Sequence, residues 1–256
     1  MIANFHTHTE RCHHAHGDER EYIETAIKNG LKVLGFSDHA PYIFQDGYYS
    51  GFRMTPDESI EYIEKLSGLR EEYKDKIKIY IGYEIEYYSK YFKKTIEMIK
   101  NTPCDYIILG QHFIGNEIGC RASTAPSDSE EELCEYVDII NSAIDTGLFF
   151  YVAHPDVLHF TGDSKIYARE MERLCRHAKE AGMPLEINLL GLRERRFYPT
   201  EEFWKIAGEV GNDVILGCDA HRPIDVGDEK NIQEGIDIAK RYGLNIIEPT
   251  EPKFLK

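Results

Sequence analysis

The chain has 256 residues, of which 42% are hydrophobic, and it carries a formal net charge of −15. This length suits one compact domain, because a single α/β barrel takes about 250 residues. The acidic balance excludes a nucleic-acid-binding surface unless a local basic patch compensates for it, and the sequence shows no such cluster of lysine and arginine.

Membrane and export signals are missing from the pattern of hydrophobic residues. No apolar run approaches the ~18 residues needed to cross a bilayer, and the first residues are too few and too polar for a signal peptide. The six cysteines are scattered without close pairing, which is typical of reduced thiols rather than of a disulfide framework. We therefore expect a cytoplasmic protein with no membrane contact.

Short β-branched or aromatic runs alternate with longer amphipathic segments along the chain. The predicted strands are 2–5, 33–37, 77–83, 106–109, 149–153, 185–187 and 214–216. The predicted helices between them include 19–29, 56–73, 129–146, 166–181, 201–209 and 231–242. Such repeated strand–helix units predict a parallel sheet with right-handed crossovers, which is either a closed barrel or an open doubly wound sheet.

Polar side chains follow all seven predicted strands at the point where each strand ends. In chain order they are His6 and His8, Asp38 and His39, Glu84, His112, His154, Asn188, and Asp219 with His221. The carboxyl ends of parallel strands meet at one rim of a barrel, where the active sites of this fold lie. The pattern therefore favours the barrel and predicts that these side chains share one mouth.

The residue types at this rim indicate a metal site. His6 and His8 are two residues apart on an extended segment, as are Asp219 and His221, so each pair can point the same way. Neutral imidazole and carboxylate ligands suit Zn²⁺, Mn²⁺ or Fe²⁺. Seven histidines and two carboxylates exceed what one tetrahedral zinc uses, so we expect two or three divalent ions. Glu86 is predicted either to assist a ligand or to form an ion pair at the rim.

The ordered motifs resemble the polymerase-and-histidinol-phosphatase (PHP) superfamily. The motifs are His6-Thr7-His8-Thr9, Ser37-Asp38-His39-Ala40-Pro41, Gly82-Tyr83-Glu84, Gln111-His112-Phe113, Ala153-His154-Pro155-Asp156 and Asp219-Ala220-His221. The resemblance covers essentially the whole chain and implies a single domain, 1–256, folded as a distorted (βα)₇ TIM-like barrel. It also implies a trinuclear metal cluster.

The resemblance implies a ligand for each position of that cluster. The first ion would be bound by His6, His8, Glu84 and Asp219. Glu84 would bridge to a second ion bound by His112 and His154. His14, His39 and His221 would bind the third, with His14 preferred over His13 and His16 because it follows His8 by six residues.

Further motifs are similar to the histidinol-phosphate phosphatases of this superfamily. They include Glu186-Ile187-Asn188, Gly191-Leu192-Arg193, Tyr198-Pro199 and Asp219-Ala220-His221-Arg222-Pro223. The resemblance implies a small phosphorylated substrate, L-histidinol phosphate, that is hydrolysed to L-histidinol and phosphate in histidine biosynthesis. The alternative is a phosphoesterase that acts on nucleotides, sugar phosphates or DNA ends.

We expect a metal-bridging hydroxide to attack phosphorus in line, with Glu84 and Asp219 as metal-binding catalytic groups. Arg193 is predicted to bind the phosphate and assist catalysis, because arginine forms bidentate contacts to phosphate, and Arg121 is a second candidate. Of Arg195 and Arg196, at least one is expected to be an ordinary solvated charge. Asp156 and His16 are both open as proton donors to the leaving group.

Overall fold

The computed structural model describes residues 1–255 and contains seven strands among them. They are β1 (Ala3–Asn4), β2 (Val33–His39), β3 (Lys78–Ile85), β4 (Tyr106–Leu109), β5 (Leu185–Asn188), β6 (Asp213–Gly217) and β7 (Asn245–Ile246). The helices of the same residues are α1 (Glu19–Lys28), α2 (Pro56–Tyr73), α3 (Ser89–Lys100), α4 (Glu130–Asp145), α5 (Ser164–Glu180), α6 (Leu189–Arg193), α7 (Glu201–Val210) and α8 (Glu229–Tyr242). Strands and helices alternate over most of the chain, as the sequence predicts.

The strands form two parallel sheets that join into one barrel. One sheet has the order β1-β2-β3-β4 and the other has the order β5-β6-β7. Val152 joins them, because it forms parallel bridges to both Leu109 and Leu185. A further parallel bridge between Thr7 and Ala220 closes the ring on the other side. The expected distorted TIM-like barrel is confirmed.

The structure differs from the predicted elements at several places, and one of them is α6, which was not among the predicted helices. The predicted strand 149–153 pairs with its neighbours but forms bridges only at Val152, and the chain turns directly after it at His154, where φ is 30°. Strand β7 has two residues, too few to show a period of two in the sequence. Helix α3 was not among the predicted helices, and its N-cap residue, Tyr88, makes no side-chain capping hydrogen bond that would mark its start.

Two helices begin with capping boxes directly after segments that contribute to the rim. Asp18 and Glu21 cap α1 reciprocally, and Thr55 and Glu58 do the same for α2, which has Pro56 at its first position. Side-chain caps of this kind stabilise a helix end by about 1 kcal/mol. Within residues 1–255, no helix combines the length and the apolar character that crossing a membrane requires.

Alternation along the strands divides the buried residues into two clusters. On β3 and β4, Ile81 and Ile107 belong to a large cluster beneath the helices, whereas Tyr80 and Tyr106 belong to a smaller cluster. Alternate strand residues face opposite sides of a sheet, so the smaller cluster fills the barrel interior. Its members are Ala3, Phe5, Val33, Tyr80, Tyr106, Ile108, Phe150, Tyr151, Ala153 and Ile215. The barrel therefore has an aromatic floor below its rim.

Candidate metal centre

Glu84 lies near the carboxyl end of β3, where its carboxylate is 1% exposed. Five imidazoles surround this carboxylate. The distances from its oxygens to the nearest ring nitrogens are 3.7 Å for His6, 3.6 Å for His8, 3.1 Å for His39, 3.5 Å for His112 and 2.8 Å for His154. Chain segments from four different strand ends thus meet at one acid.

Asp219 lies just after β6 and forms the second acidic group of the site. Its Oδ1 is 3.5 Å from Nε2 of His6, 3.2 Å from Nε2 of His8 and 3.4 Å from Nδ1 of His221. Its Oδ2 accepts a hydrogen bond of 3.0 Å from the amide of Asn188. One oxygen is therefore held by the protein while the other faces the imidazoles.

These spacings fit a site for divalent ions. Two ligands bound to one zinc at about 2.1 Å in tetrahedral geometry lie roughly 3.4 Å apart, close to most of the nitrogen–oxygen distances around Glu84 and Asp219. Three of the buried polar atoms at the site have no hydrogen-bond partner: Nε2 of His6, Nδ1 of His39 and Oδ1 of Asp219. Buried polar atoms without partners are costly, and a bound cation would satisfy them.

His14, His39 and His221 form a further group at the outer end of the site. One potential ligand atom from each lies within 4.8 Å of those of the other two. The ring centroid of His14 lies 4.8 Å from that of His221 and 5.5 Å from that of His39. His13, His14 and His16 are all exposed, but of the three only His14 lines the cavity described below. The structure thus brings all nine predicted ligands together, with His14 at the position that the spacing favours.

Three buried carboxylates orient the imidazoles from behind. Nδ1 of His6 donates to Glu186 at 2.8 Å, and Nδ1 of His112 donates to Glu86 at 2.9 Å. Nδ1 of His8 lies 3.3 Å from Asp38. Each contact leaves the opposite ring nitrogen free to face the metal site. Carboxylates in this position fix the ring and raise the basicity of a metal-binding histidine.

Charge and burial set the protonation of the site. Burial raises the pKa of Glu84, but His112, His39 and His6 outweigh it and hold the pKa well below its usual value. Burial likewise opposes ionisation of Asp219, and His6 and His8 outweigh it and lower the pKa of that carboxyl well below its usual value. Burial lowers the pKa of His39 and of His221 well below the usual value. Burial opposes protonation of His6, His8 and His112, but neighbouring carboxylates outweigh it and raise the pKa of all three rings. A metal ion would displace protons from these rings, because metal ions bind ionised carboxylates and neutral imidazoles.

Local backbone features make room for this arrangement. His154 and Asp219 have φ values of 30° and 44°, a region that costs non-glycine residues free energy and is found at functional sites. A Cβ atom at Gly110 would lie 1.9 Å from Oε1 of Glu84, and one at Gly217 would lie 1.6 Å from Oε1 of Glu186. The two glycines therefore provide the space that the two carboxylates occupy.

The site opens into a cavity of about 460 Å³. Candidate ligands lie on one side of it, and Phe52, Phe113, Val157 and Leu190 line other parts of the wall. The rings of Phe52 and Phe113 stack with centroids 5.9 Å apart. The cavity therefore combines a polar, histidine-rich face with an apolar wall large enough for a small organic group.

Arg193 and Arg121, the two arginines predicted to bind the substrate, contact backbone carbonyl groups of the protein. Arg193 donates to the carbonyl oxygens of Cys218 and Asp219 at 3.3 and 3.2 Å, and its Nε lies 3.3 Å from Asp225. Arg121 binds the carbonyl of Pro126. Neither arginine lines the cavity, and a contact of Arg193 or Arg121 with a bound substrate stays a prediction.

Arg196 lines the cavity, which is compatible with the expectation that at least one of Arg195 and Arg196 is an ordinary solvated charge. Its guanidinium pairs with Glu194 at 2.6 Å and donates to the Tyr198 hydroxyl at 3.0 Å, and both partners also line the cavity. Arg195 pairs instead with Glu234 and is largely exposed. Of the two adjacent arginines, one faces the cavity and the other faces solvent.

The two candidates for the proton donor do not line the cavity. Oδ2 of Asp156 accepts a hydrogen bond of 2.6 Å from the backbone amide of Thr200, and burial raises the pKa of this carboxyl to about 6. His16 is exposed, and its backbone amide donates to the carbonyl of His221. Neither contact points to a role at the leaving group.

Two further residues of the site were not among the predicted site residues. Glu186 is fully buried on β5 between Leu185 and Ile187, and an acid flanked by apolar strand residues is a signal for an inward-facing charge. The Sγ of Cys12, also buried, lies within 4.8 Å of ring nitrogens of His8 and His221. Its separation of four residues from His8 carries no comparable signal.

Comparison with known proteins assigns the chain to a family. The PHP domain model matches residues 4–189, nearly three quarters of the chain. The chain belongs to the PHP domain family. This match includes seven of the nine candidate ligands, and the region beyond it contributes Asp219 and His221 from the same rim.

Relatives of this PHP domain protein extend over most of both chains. A protein of Deinococcus radiodurans named "Probable histidinol-phosphatase" is 28% identical over 242 residues, which is 88% of each chain. The histidinol-phosphatase of Bacillus subtilis is 28% identical over 253 residues, covering 87% of this chain and 94% of the relative. The histidinol phosphate phosphatase of Lactococcus lactis, solved with zinc, L-histidinol and phosphate, aligns with a TM-score of 0.74.

The alignment with the Lactococcus structure covers 98% of both chains at 20% identity and therefore shows a shared fold. With the family match and the curated relatives, it places this PHP domain protein among the phosphoric monoester hydrolases that resemble histidinol phosphatases. The family and the clustered ligands together identify a centre for divalent metal ions.

Proposed function

We propose that this PHP domain protein hydrolyses L-histidinol phosphate to L-histidinol and phosphate. The observation that carries the proposal is the buried Glu84 carboxylate, ringed by five imidazoles at one side of a cavity with an apolar wall. The names of the relatives support the choice of substrate. We further propose that residues 1–256 form one domain, since the candidate ligands extend from His6 to His221. A cytoplasmic location stays a prediction.

Three ions are proposed for the centre. His6, His8, Glu84 and Asp219 would bind the first, Glu84, His112 and His154 the second, and His14, His39 and His221 the third. The chemistry that divalent ions supply in such a site is activation of water as a nucleophile near neutral pH and neutralisation of phosphate charge. We propose that each of these ions is zinc, manganese or iron.

The protein's own side chains orient the substrate in this proposal. Arg196 binds the phosphate, because its guanidinium lines the cavity. Phe52 and Phe113 pack against the imidazole of the leaving alcohol, and Glu194 offers a carboxylate to its cationic amino group. Arg193 holds the carbonyl groups of Cys218 and Asp219 and so positions the second acid rather than the substrate.

Phosphate release from a panel of esters tests the proposed function. We expect kcat/KM for L-histidinol phosphate to exceed that for AMP, glucose 6-phosphate and p-nitrophenyl phosphate by about a hundredfold or more, because the apolar wall and Glu194 contact only a suitable leaving group. Removal of metal with a chelator should abolish release, and Zn²⁺ or Mn²⁺ should restore it. Preference for a nucleotide or for DNA ends would overturn the assignment of the substrate.

Replacing Arg196 with methionine is expected to raise KM for L-histidinol phosphate about tenfold or more, because a charged hydrogen bond to phosphate is lost. Arg195→Met is the matched control, since its side chain pairs with Glu234 at the surface. Steady-state kinetics of both variants check the prediction. Equal KM values for the two variants would contradict a contact between Arg196 and the phosphate.

A further inference from the structure

Arg53 is a buried arginine that belongs to none of the groups discussed above. It lies in the segment between β2 and α2, and it is only 3% exposed. Its Nη1 donates to the carbonyl of Ala40 at 2.9 Å, its Nε to Glu117 at 2.7 Å and its Nη2 to Glu86 at 3.0 Å. One guanidinium therefore joins three separate segments of the rim.

Two of these contacts lead directly to candidate metal ligands. Ala40 follows His39 in the chain, so the bond to its carbonyl fixes the backbone beside that ligand. Oε1 of Glu86 accepts hydrogen bonds from both Arg53 and Nδ1 of His112, the latter at 2.9 Å. The orientation of the His112 ring thus depends on a carboxylate that Arg53 holds.

Charge makes Arg53 necessary for this orientation. Glu86 and Glu117 are both buried, and the second oxygen of each has no hydrogen-bond partner. Without the guanidinium, two carboxylates would share a buried region with no cation between them, and such an arrangement is strongly unfavourable. The carboxylate of Glu86 would then lose the cation that holds it beside His112.

The same guanidinium supports the apolar wall of the cavity. Its central carbon lies 4.4 Å from the ring centroid of Phe52, a cation–π distance. The Phe52 ring in turn contacts the rings of His39 and His112 edge-on, with centroids 5.1 and 6.1 Å away. Phe52 thus connects Arg53 and the apolar wall with the candidate ligands His39 and His112.

We propose that Arg53 is a positioning residue that acts through Glu86 on His112 and through Phe52 on the cavity wall, so that it couples metal retention to the shape of the leaving-group pocket. The proposal rests on the metal centre of the proposed function. It assigns a role to Arg53 and Glu86 that is additional to metal binding.

Zinc affinity, measured by competition with a chromophoric chelator, tests this role in Arg53→Lys, Arg53→Met and the double variant Arg53→Met/Glu117→Gln. Loss of a residue that orients a ligand lowers metal affinity by 10–100-fold. We expect a fall of this size in Arg53→Met, and also in the double variant, where the charge balance returns but the contact to Glu86 does not. Lysine should give an intermediate loss, because it keeps the charge without the planar fork.

The melting temperature of the metal-free proteins separates positioning from folding. We expect the double variant to melt at a higher temperature than Arg53→Met while still binding zinc weakly. Recovery of wild-type zinc affinity in the double variant, or unchanged affinity in all three, would overturn the proposal. Glu117→Gln alone is the control and should stay within about threefold of wild-type affinity, since Arg53 still holds Glu86.

The zinc comparison does not depend on which ester the protein hydrolyses, so failure of the proposed substrate is detected separately by the ester panel.

Discussion

Glu84→Gln is expected to lower kcat/KM for phosphate release by about a thousandfold or more. The substitution keeps the size of the side chain but removes the charge that faces five imidazoles. An amide nitrogen donates hydrogen bonds and does not bind metal ions as a carboxylate oxygen does. Steady-state kinetics and the zinc content of each chain, measured on the same preparation, check the result.

A control for charge alone is available on the surface of α2. Glu64 is exposed, so Glu64→Gln removes one negative charge from the same acidic protein without touching the site. We expect its activity and zinc content to match those of the wild type. Full zinc content with near-normal activity in Glu84→Gln would show that this acid does not organise the centre.

Gly217→Ala is expected to disrupt the centre without changing any candidate ligand. The new Cβ would lie 1.6 Å from Oε1 of Glu186, so that carboxylate must move. It would then lose its contacts to Nδ1 of His6 at 2.8 Å and to the backbone amide of His154 at 3.1 Å. We expect zinc affinity to fall by about 10–100-fold and the free energy of unfolding to fall by about 1–3 kcal/mol.

Gly68→Ala provides the matched control for Gly217→Ala. Gly68 lies within α2, and a Cβ atom there would meet nothing within 4 Å. Alanine in a helix interior is more stable than glycine by about 0.5–1 kcal/mol, so this variant should be as stable as the wild type or more so. Denaturant unfolding and chelator competition compare the two. Wild-type zinc affinity in Gly217→Ala would contradict the proposed dependence of His6 on Glu186.

The barrel and the convergence of the ligands could be predicted because they follow from chain topology. Parallel strands bring their carboxyl ends to one rim, so residues as distant as His6 and His221 must meet there if the sheet closes. Apart from His14, which the family resemblance implied, the prediction needs only the order of strands and the residues after each. It does not need the path of any loop, and the structure places these residues together for that reason.

The arginines could not be predicted in the same way, because their directions depend on the path of a short loop. Asn188 caps α6 by accepting from the amide of Gly191 at 3.0 Å, so the chain winds into a helix directly after β5. This turn directs Arg193 back towards the segment after β6, and Arg196 reaches the cavity instead. Arg196 lies beyond the end of α6 at Arg193 and follows Arg195, whose φ is 55°, so the loop sets its direction and the spacing of charges does not show it.

Arg53 illustrates a further limit of the sequence. Its partners Glu86 and Glu117 are 33 and 64 residues away, and the segment that contains it has no strand or helix period. Glu86, by contrast, follows Glu84 by two residues on an extended segment. From this spacing we could predict either an ion pair at the rim or a contact that supports a metal ligand. The structure shows both contacts at once, with Arg53 on one side and His112 on the other.

The aromatic floor of the barrel determines how ligands enter and leave the site. Phe5, Tyr80, Tyr106 and Tyr151 are packed below the acidic groups and leave the rim as the approach from solvent. A ligand that reaches Glu84 must therefore enter and leave through the rim. When a phosphate ester is hydrolysed there, the product that is bound deeper in the barrel can dissociate only after the other product has left.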